Sequence, residues 1–234
     1  MLNFFQPFIS SPLFGIGLTV GCFLLGDRIT KKINKPYITQ LFVLLTLLIT
    51  FLAVTGIDLA DYQKGGEMIS FLIGPMTLAL AVPIYKQRKV LLENLLPILG
   101  AIVVGSATAL VSGYLLGKLV GLDLSLIRSL LPKNTTTGIA QELSLSMGAD
   151  RALTIALVII AGNTGYMFSS SLYKLFGITH PVARGVALGS ASHAVGTKRA
   201  LELGETEGAV SSVAVGVCGM ITTLILPFFL HFVR

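Results

Sequence analysis

"HPVARGVALGSASHAVGTKRALELGETEGA", residues 180–209, lies inside a chain that is otherwise mostly apolar. Glycines, hydroxyls, two histidines and charges of both signs are not what a lipid-facing helix requires, so the rest of the chain is read outward from here. At helical spacing Gly185, Gly189, Ser192 and Gly196 fall on one stripe with almost no side-chain bulk. Such a stripe lets a second helix approach closely. Ser190, His193 and Thr197 form a polar stripe roughly 140° further round, at about 100° per residue. Lys198 and Arg199 suit the last turn of a helix, where cations meet the negative end of the dipole. Gly204 fits the stop, and Glu205 and Glu207 fit the first turn of the next helix.

Composition indicates a membrane protein. Of 234 residues, 53% are hydrophobic and only 12% charged, against about 25% charged in a soluble domain. Mean hydropathy is +0.84. The net charge of +6 comes from short Lys/Arg clusters between apolar runs. Those clusters read as juxtamembrane charge, not as a nucleic-acid face. Cys22 and Cys218 sit inside apolar runs and read as packing thiols, with neither a disulfide nor a metal site suggested. The N-terminus has no basic region ahead of its apolar segment, so that segment reads as a retained helix.

A membrane span needs about 20 apolar residues. Residues 7–26 are the first candidate. A basic loop, 27–35, follows and is expected in the cytoplasm. Residues 38–57 are the most lipid-like segment. A polar loop, 58–67, is expected on the outer side. Residues 68–83 are apolar but broken at Gly74 and Pro75 and ended by Pro83. Lys86, Arg88 and Lys89 mark another cytoplasmic loop. The span 91–118 carries Gly105, Ala109 and Gly113 at every fourth position, a packing face. Residues 121–131 are too short to cross, 132–147 are polar for a membrane segment, and 152–172 form a span expected to be interrupted at "GNTG", residues 162–165. A last span runs from 209 to 232.

Overlaying Gly74 on Gly189 aligns broken segments in two halves, 1–118 and 119–234, each read as one transmembrane repeat. Broken segments in corresponding places point to a transporter-like site near the bilayer midplane. The expected fold is an all-α polytopic membrane protein. It would have six to eight helical membrane segments, discontinuous helices and an internal two-fold repeat, taken as inverted by transporter analogy.

A second block, "SLLPKNTTTGIAQELS", residues 129–144, puts Asn134, Thr135, Thr136 and Thr137 ahead of Gly138 and a helix. Hydroxyls at a helix N-terminus, with Lys133 beside them, suit a small carboxylate. The same residues also suit a simple helix cap. His193 reads either as a packed histidine or as a proton carrier at membrane depth. Glu142 competes for the proton role. Asn163 offers its amide either to a substrate or to backbone groups freed by a helix break. Lys198, Arg199, Glu202, Glu205 and Glu207 read as an extramembrane ion-pair cluster, and Arg184 as a partner for an anionic headgroup or a substrate carboxylate. The substrate-binding set is thus Asn134, Thr135, Thr136, Thr137, Gly138, Asn163, Ser190, Ser192, His193 and Thr197, with 134–138 and the polar stripe expected to face one cavity. No nucleophile elbow, zinc signature or phosphate loop is present, so neither an enzyme nor a cofactor is expected.

Residues 181–209 resemble the signature region of the CidB/LrgB family, membrane proteins described as antiholin-like autolysis modulators. Residues 129–144 resemble the family's other marked stretch, LLPK followed by a hydroxyl-rich turn and a helix bearing a glutamate. Lys198 and Gly138 depart from that pattern. The resemblance extends to plastid glycolate/glycerate translocators and to bacterial systems linked with pyruvate movement. It implies a multi-pass protein of the inner (cytoplasmic) membrane that carries small monocarboxylates of the pyruvate, glycolate, glycerate or lactate type. It also implies a smaller LrgA/CidA-like membrane partner and a homo-oligomer, expected as a dimer. The other function it implies is a holin/antiholin-type modulator of murein hydrolase activity.

Overall fold

The apolar runs form long helices, and most of the polar stretches between them are helical as well. The computed structural model describes residues 7–33, 38–72, 75, 78–79 and 81–232. Gly74, the expected counterpart of Gly189, lies outside the described residues. The described residues form helices and no strand. Among the described residues four helices are long and apolar enough to cross a membrane, and a fifth, shorter one is strongly apolar. The protein is an all-α polytopic membrane protein. The chain divides into two compact units, residues 1–79 and 80–234.

The first unit holds α1 (Pro12–Ile33), α2 (Gln40–Thr55) and α3 (Leu59–Phe71). The loop expected at 27–35 is largely helix. Asp27 and Lys31 pair at 2.7 Å across one turn, and Lys31 and Lys32 sit in the last turn, where cations suit the dipole. The loop expected at 58–67 is also a helix. Asp58 caps it by accepting from the Ala60 N–H at 3.0 Å, and Lys64 pairs with Asp61 at 2.7 Å. Gly15 is required where α1 meets α3: a Cβ there would lie 2.5 Å from the Tyr62 carbonyl. The Thr19 and Tyr62 hydroxyls close the same contact at 3.0 Å. Helix α2 exposes Phe42, Ile49 and Val54, as a lipid-facing helix does.

The second unit begins with two short helices, α4 (Ala81–Lys86) and α5 (Arg88–Glu93), where a basic loop is expected. It continues with α6 (Leu95–Leu119), α7 (Leu124–Leu130), a 3-10 turn (Leu131–Asn134), α8 (Thr137–Ser146), α9 (Arg151–Leu175), α10 (Pro181–Leu203) and α11 (Glu205–Phe232). Helix α8 has 10 residues, about 15 Å, half of a bilayer core. The packing face of α6 has specific partners. A Cβ on Gly105 would lie 3.6 Å from Ser190 Oγ, one on Gly113 3.2 Å from Lys133 Nζ, and one on Gly117 2.9 Å from Ile127. The face therefore receives α10, the 3-10 turn and α7. Ile98, Ile102, Val182, Val186, Val210, Ala214 and Cys218 join α6, α10 and α11 in one buried cluster.

The interruption expected at 162–165 is absent. Helix α9 runs unbroken from Arg151 to Leu175. Its glycines make room for a neighbour: a Cβ on Gly162 would lie 2.7 Å from His193 Cε1 and Nε2, and one on Gly165 2.8 Å from Ser192 Cβ.

Candidate functional site

Among the described residues a helix discontinuity lies in α10, at His193. This residue has φ 43° and ψ −136°, and it is the one non-glycine residue with positive φ among the described residues. That combination is forbidden to most L-residues by contact of Cβ with the backbone. The chain folds back there. Ser211 of α11 is met both by Gly189 and by Thr197, whose hydroxyl lies 2.9 Å from that of Ser211. Along a straight helix eight residues would span about 12 Å. Leu188 and Ala200 share a buried cluster with Tyr173, although a straight helix would hold them about 18 Å apart. Residues 181–192 and 194–203 are therefore two half-helices.

The break also divides the small-residue stripe. Gly185 and Gly189 face α11, where a Cβ on Gly185 would lie 2.8 Å from Val210 Cβ and one on Gly189 2.7 Å from Ala214 Cβ. Gly196 faces the first half-helix instead: a Cβ there would lie 2.7 Å from Ser192 Cβ. Ser192 lies on Gly165 of α9. The stripe drawn at helical spacing is thus two contacts of opposite direction, because the period is lost at residue 193.

The polar stripe diverges for the same reason. Ser190 Oγ donates to the Val186 carbonyl at 2.7 Å, within its own half-helix. His193 is 4% exposed, and its Nε2 donates to the Val158 carbonyl of α9 at 2.9 Å. Thr197 donates to the His193 carbonyl at 3.1 Å besides meeting Ser211. Three side chains expected on one face go to α10, α9 and α11 respectively.

The second block reaches the break by a single residue. Asn134 Nδ2 donates to the Ala191 carbonyl at 3.1 Å. That carbonyl is among those left open where the first half-helix ends. The Cys218 thiol lies 3.6 Å from the Ser190 carbonyl, 3.9 Å from that of Asn134 and 3.3 Å from Ser106 Oγ. The 131–134 turn is therefore held between α6, α10 and α11. Thr135 is buried and donates to Pro132 O at 2.9 Å. Thr136 is the N-cap of α8, accepting from the Ile139 N–H at 3.5 Å. Thr137 is half-buried. Gly138 is exposed beside open space. Glu142 is exposed on α8. Asn163 Nδ2 donates to the Ile159 carbonyl of its own helix at 2.9 Å.

Two polar atoms around this meeting point are not satisfied among the described residues, and a cation stands beside them. Asn134 Oδ1 and Ser192 Oγ are buried without a hydrogen-bond partner. Lys133 directs its ammonium toward Gly113 of α6. It has neither an ion pair nor a hydrogen bond among the described residues. Arg199 and Glu202 do pair, at 2.8 Å, but with Tyr166 and Ser170 of α9 and not with Glu205 or Glu207. Arg184 turns back on its own segment, its Nε donating to Ile178 O at 2.9 Å. The isolation of Lys133 and the central place of Cys218 were not readable in advance. The glycines of "GNTG" were a usable signal, but for close approach and not for a break.

The fold defines a class: a polytopic helical membrane protein organised round a broken helix. The chain matches the LrgB-like family over residues 19–232 and belongs to that family. It is 39% identical to the antiholin-like protein LrgB of Bacillus mycoides (strain KBAB4) over 224 residues, 95% of this chain and 97% of that protein. The antiholin-like protein LrgB of Bacillus subtilis (strain 168) is 38% identical over the same shares. No solved structure matches the chain.

Proposed function

We propose that this chain is a secondary carrier of small monocarboxylates, and that its substrate binds where the 131–138 turn meets the break in α10. The observation that carries the reading is a pair of buried atoms without a partner, Asn134 Oδ1 and Ser192 Oγ, with the ammonium of the adjacent Lys133 outside any ion pair among the described residues. A buried polar atom without a partner costs about 1–3 kcal/mol, and ionisable groups at membrane depth are rare and tend to be functional. A 2-hydroxy or 2-keto acid answers that chemistry. Its carboxylate pairs with Lys133, a 2-hydroxyl donates to Asn134 Oδ1, and a 2-keto oxygen accepts from Ser192. The open first turn of α8 at Thr137 and Gly138 adds backbone donors. His193, bound to α9 at the break itself, is the proton-coupling residue in this scheme, ahead of Glu142. A smaller LrgA/CidA-like membrane partner, a dimer and the inner membrane complete the proposal.

The relatives are named antiholin-like, and that name favours a second reading, a holin/antiholin-type modulator, whose action on murein hydrolases would be the further part of that proposal. Uptake of labelled pyruvate, glycolate and lactate by proteoliposomes, with and without the partner, separates the two. The carrier reading expects saturable uptake that Lys133→Met lowers at least about tenfold, the loss of one charge-assisted contact. No uptake by the wild-type chain in either setting overturns it and leaves the modulator.

A further inference from the structure

A groove of about 390 Å³ lies between α7, α8 and the last turns of α11. It is remote in sequence from the break in α10, and no step above uses it. Leu143 and Leu226, both buried, form its apolar floor, and Met147, Pro227 and Leu230 flank it. Arg128 is its cation. A guanidinium is always charged and presents five donors in one plane. Here Nε is buried without an acceptor, and the hydrogen bond to the Met147 carbonyl is long, at 3.5 Å. No carboxylate pairs with Arg128 among the described residues. The site is thus a positive charge lacking its anion, over an apolar floor.

Its depth indicates what the anion is. Helix α11 is long and apolar enough to span, and its candidate span ends at His231. Leu226 to Leu230 are therefore the turns that reach the headgroup level of the bilayer. The same turns expose Phe228, and Leu224 is exposed just before them. A free anion would use the guanidinium and leave the apolar floor uncovered. A phospholipid uses both, its phosphate on Arg128 and its acyl chains along Pro227 and Leu230. We propose that this groove is a binding site for an anionic phospholipid, with the headgroup phosphate held by Arg128. The site stands independently of the carrier reading.

The test uses the full chain in detergent, stripped of lipid and then offered dioleoyl phosphatidylglycerol, dioleoyl phosphatidylcholine or glycerol 3-phosphate. Bound lipid is counted by native mass spectrometry. The expected result is retention of phosphatidylglycerol over phosphatidylcholine. Retention should weaken about tenfold or more in Arg128→Gln, because a bidentate charge-assisted contact is lost. Leu230→Trp keeps the charge but fills the groove, and it should displace the lipid too, which covers failure of the arginine variant to fold. Equal retention of the two lipids, or full retention in both variants, overturns the site. Binding of glycerol 3-phosphate as tight as that of the lipid assigns Arg128 to a soluble anion and overturns the lipid.

Discussion

Helices α9 and α10 are neighbours with opposite relations between glycine and shape. Helix α9 carries Gly162 and Gly165 around Asn163 and runs straight through them. Helix α10 breaks at His193, between two alanines one step further out on each side of Ser192 and His193, where no local residue asks for a break. The pairing explains both. The break brings the His193 ring and Ser192 against α9, and only glycine leaves space for them there. In return α9 supplies the Val158 carbonyl that holds the ring. In α9 glycine marks a close approach and not a bend, in keeping with its role at helix interfaces.

The largest effect that bears on this comparison is expected from Gly162→Val. Its Cβ alone would fall 2.7 Å from the His193 ring and 3.2 Å from Val195 Cβ. Neither α9 nor the break can yield without losing the Val158 contact, so the cost is put at about 3 kcal/mol, the upper end for overpacked sites. Thermal unfolding in detergent measures it. Wild-type stability would mean that the ring does not sit on α9.

A sharper test compares two substitutions at one position. Glycine adopts positive φ freely, and alanine does not. At His193 both variants lose the ring, so their difference isolates the backbone. His193→Gly should be more stable than His193→Ala by about 1–2 kcal/mol. A continuous helix would reverse the sign, since alanine exceeds glycine by about 1 kcal/mol in a helix interior. Chemical unfolding of the two proteins side by side decides it.

The smallest effect is a control on a glycine that nothing approaches. A Cβ on Gly216 of α11 meets no atom within 4 Å. Gly216→Ala should leave stability unchanged or raise it by about 0.5–1 kcal/mol. A loss comparable to that of Gly162→Val would show that α11 has a neighbour at that face, such as a second subunit.

The sequence by itself determined the solvent in which this protein folds, the helices that fill it and the two blocks that matter. Those properties are sums over local residues: apolar runs of spanning length, charge confined to short clusters, capping residues such as Asp58, Asp123 and Thr136 at helix starts. The two charged stretches of the first unit that polarity marks as loops carry charges at helical spacing, a pattern readable locally once caps are weighed as heavily as polarity. The tertiary structure alone decided where the helix breaks and which polar groups stay open. Nothing in Ser192–His193–Ala194 disfavours a helix enough to stop one. The break is held by partners far along the chain, the Val158 carbonyl 35 residues before it and the Asn134 amide 57 residues before the carbonyl it meets. Once it forms, helical periodicity no longer carries from one side of residue 193 to the other, and stripes drawn across it describe no real face. Lys133 is lipophobic wherever it is put, but only the packing of α6 against the 131–134 turn directs it toward Gly113 with no counter-ion among the described residues.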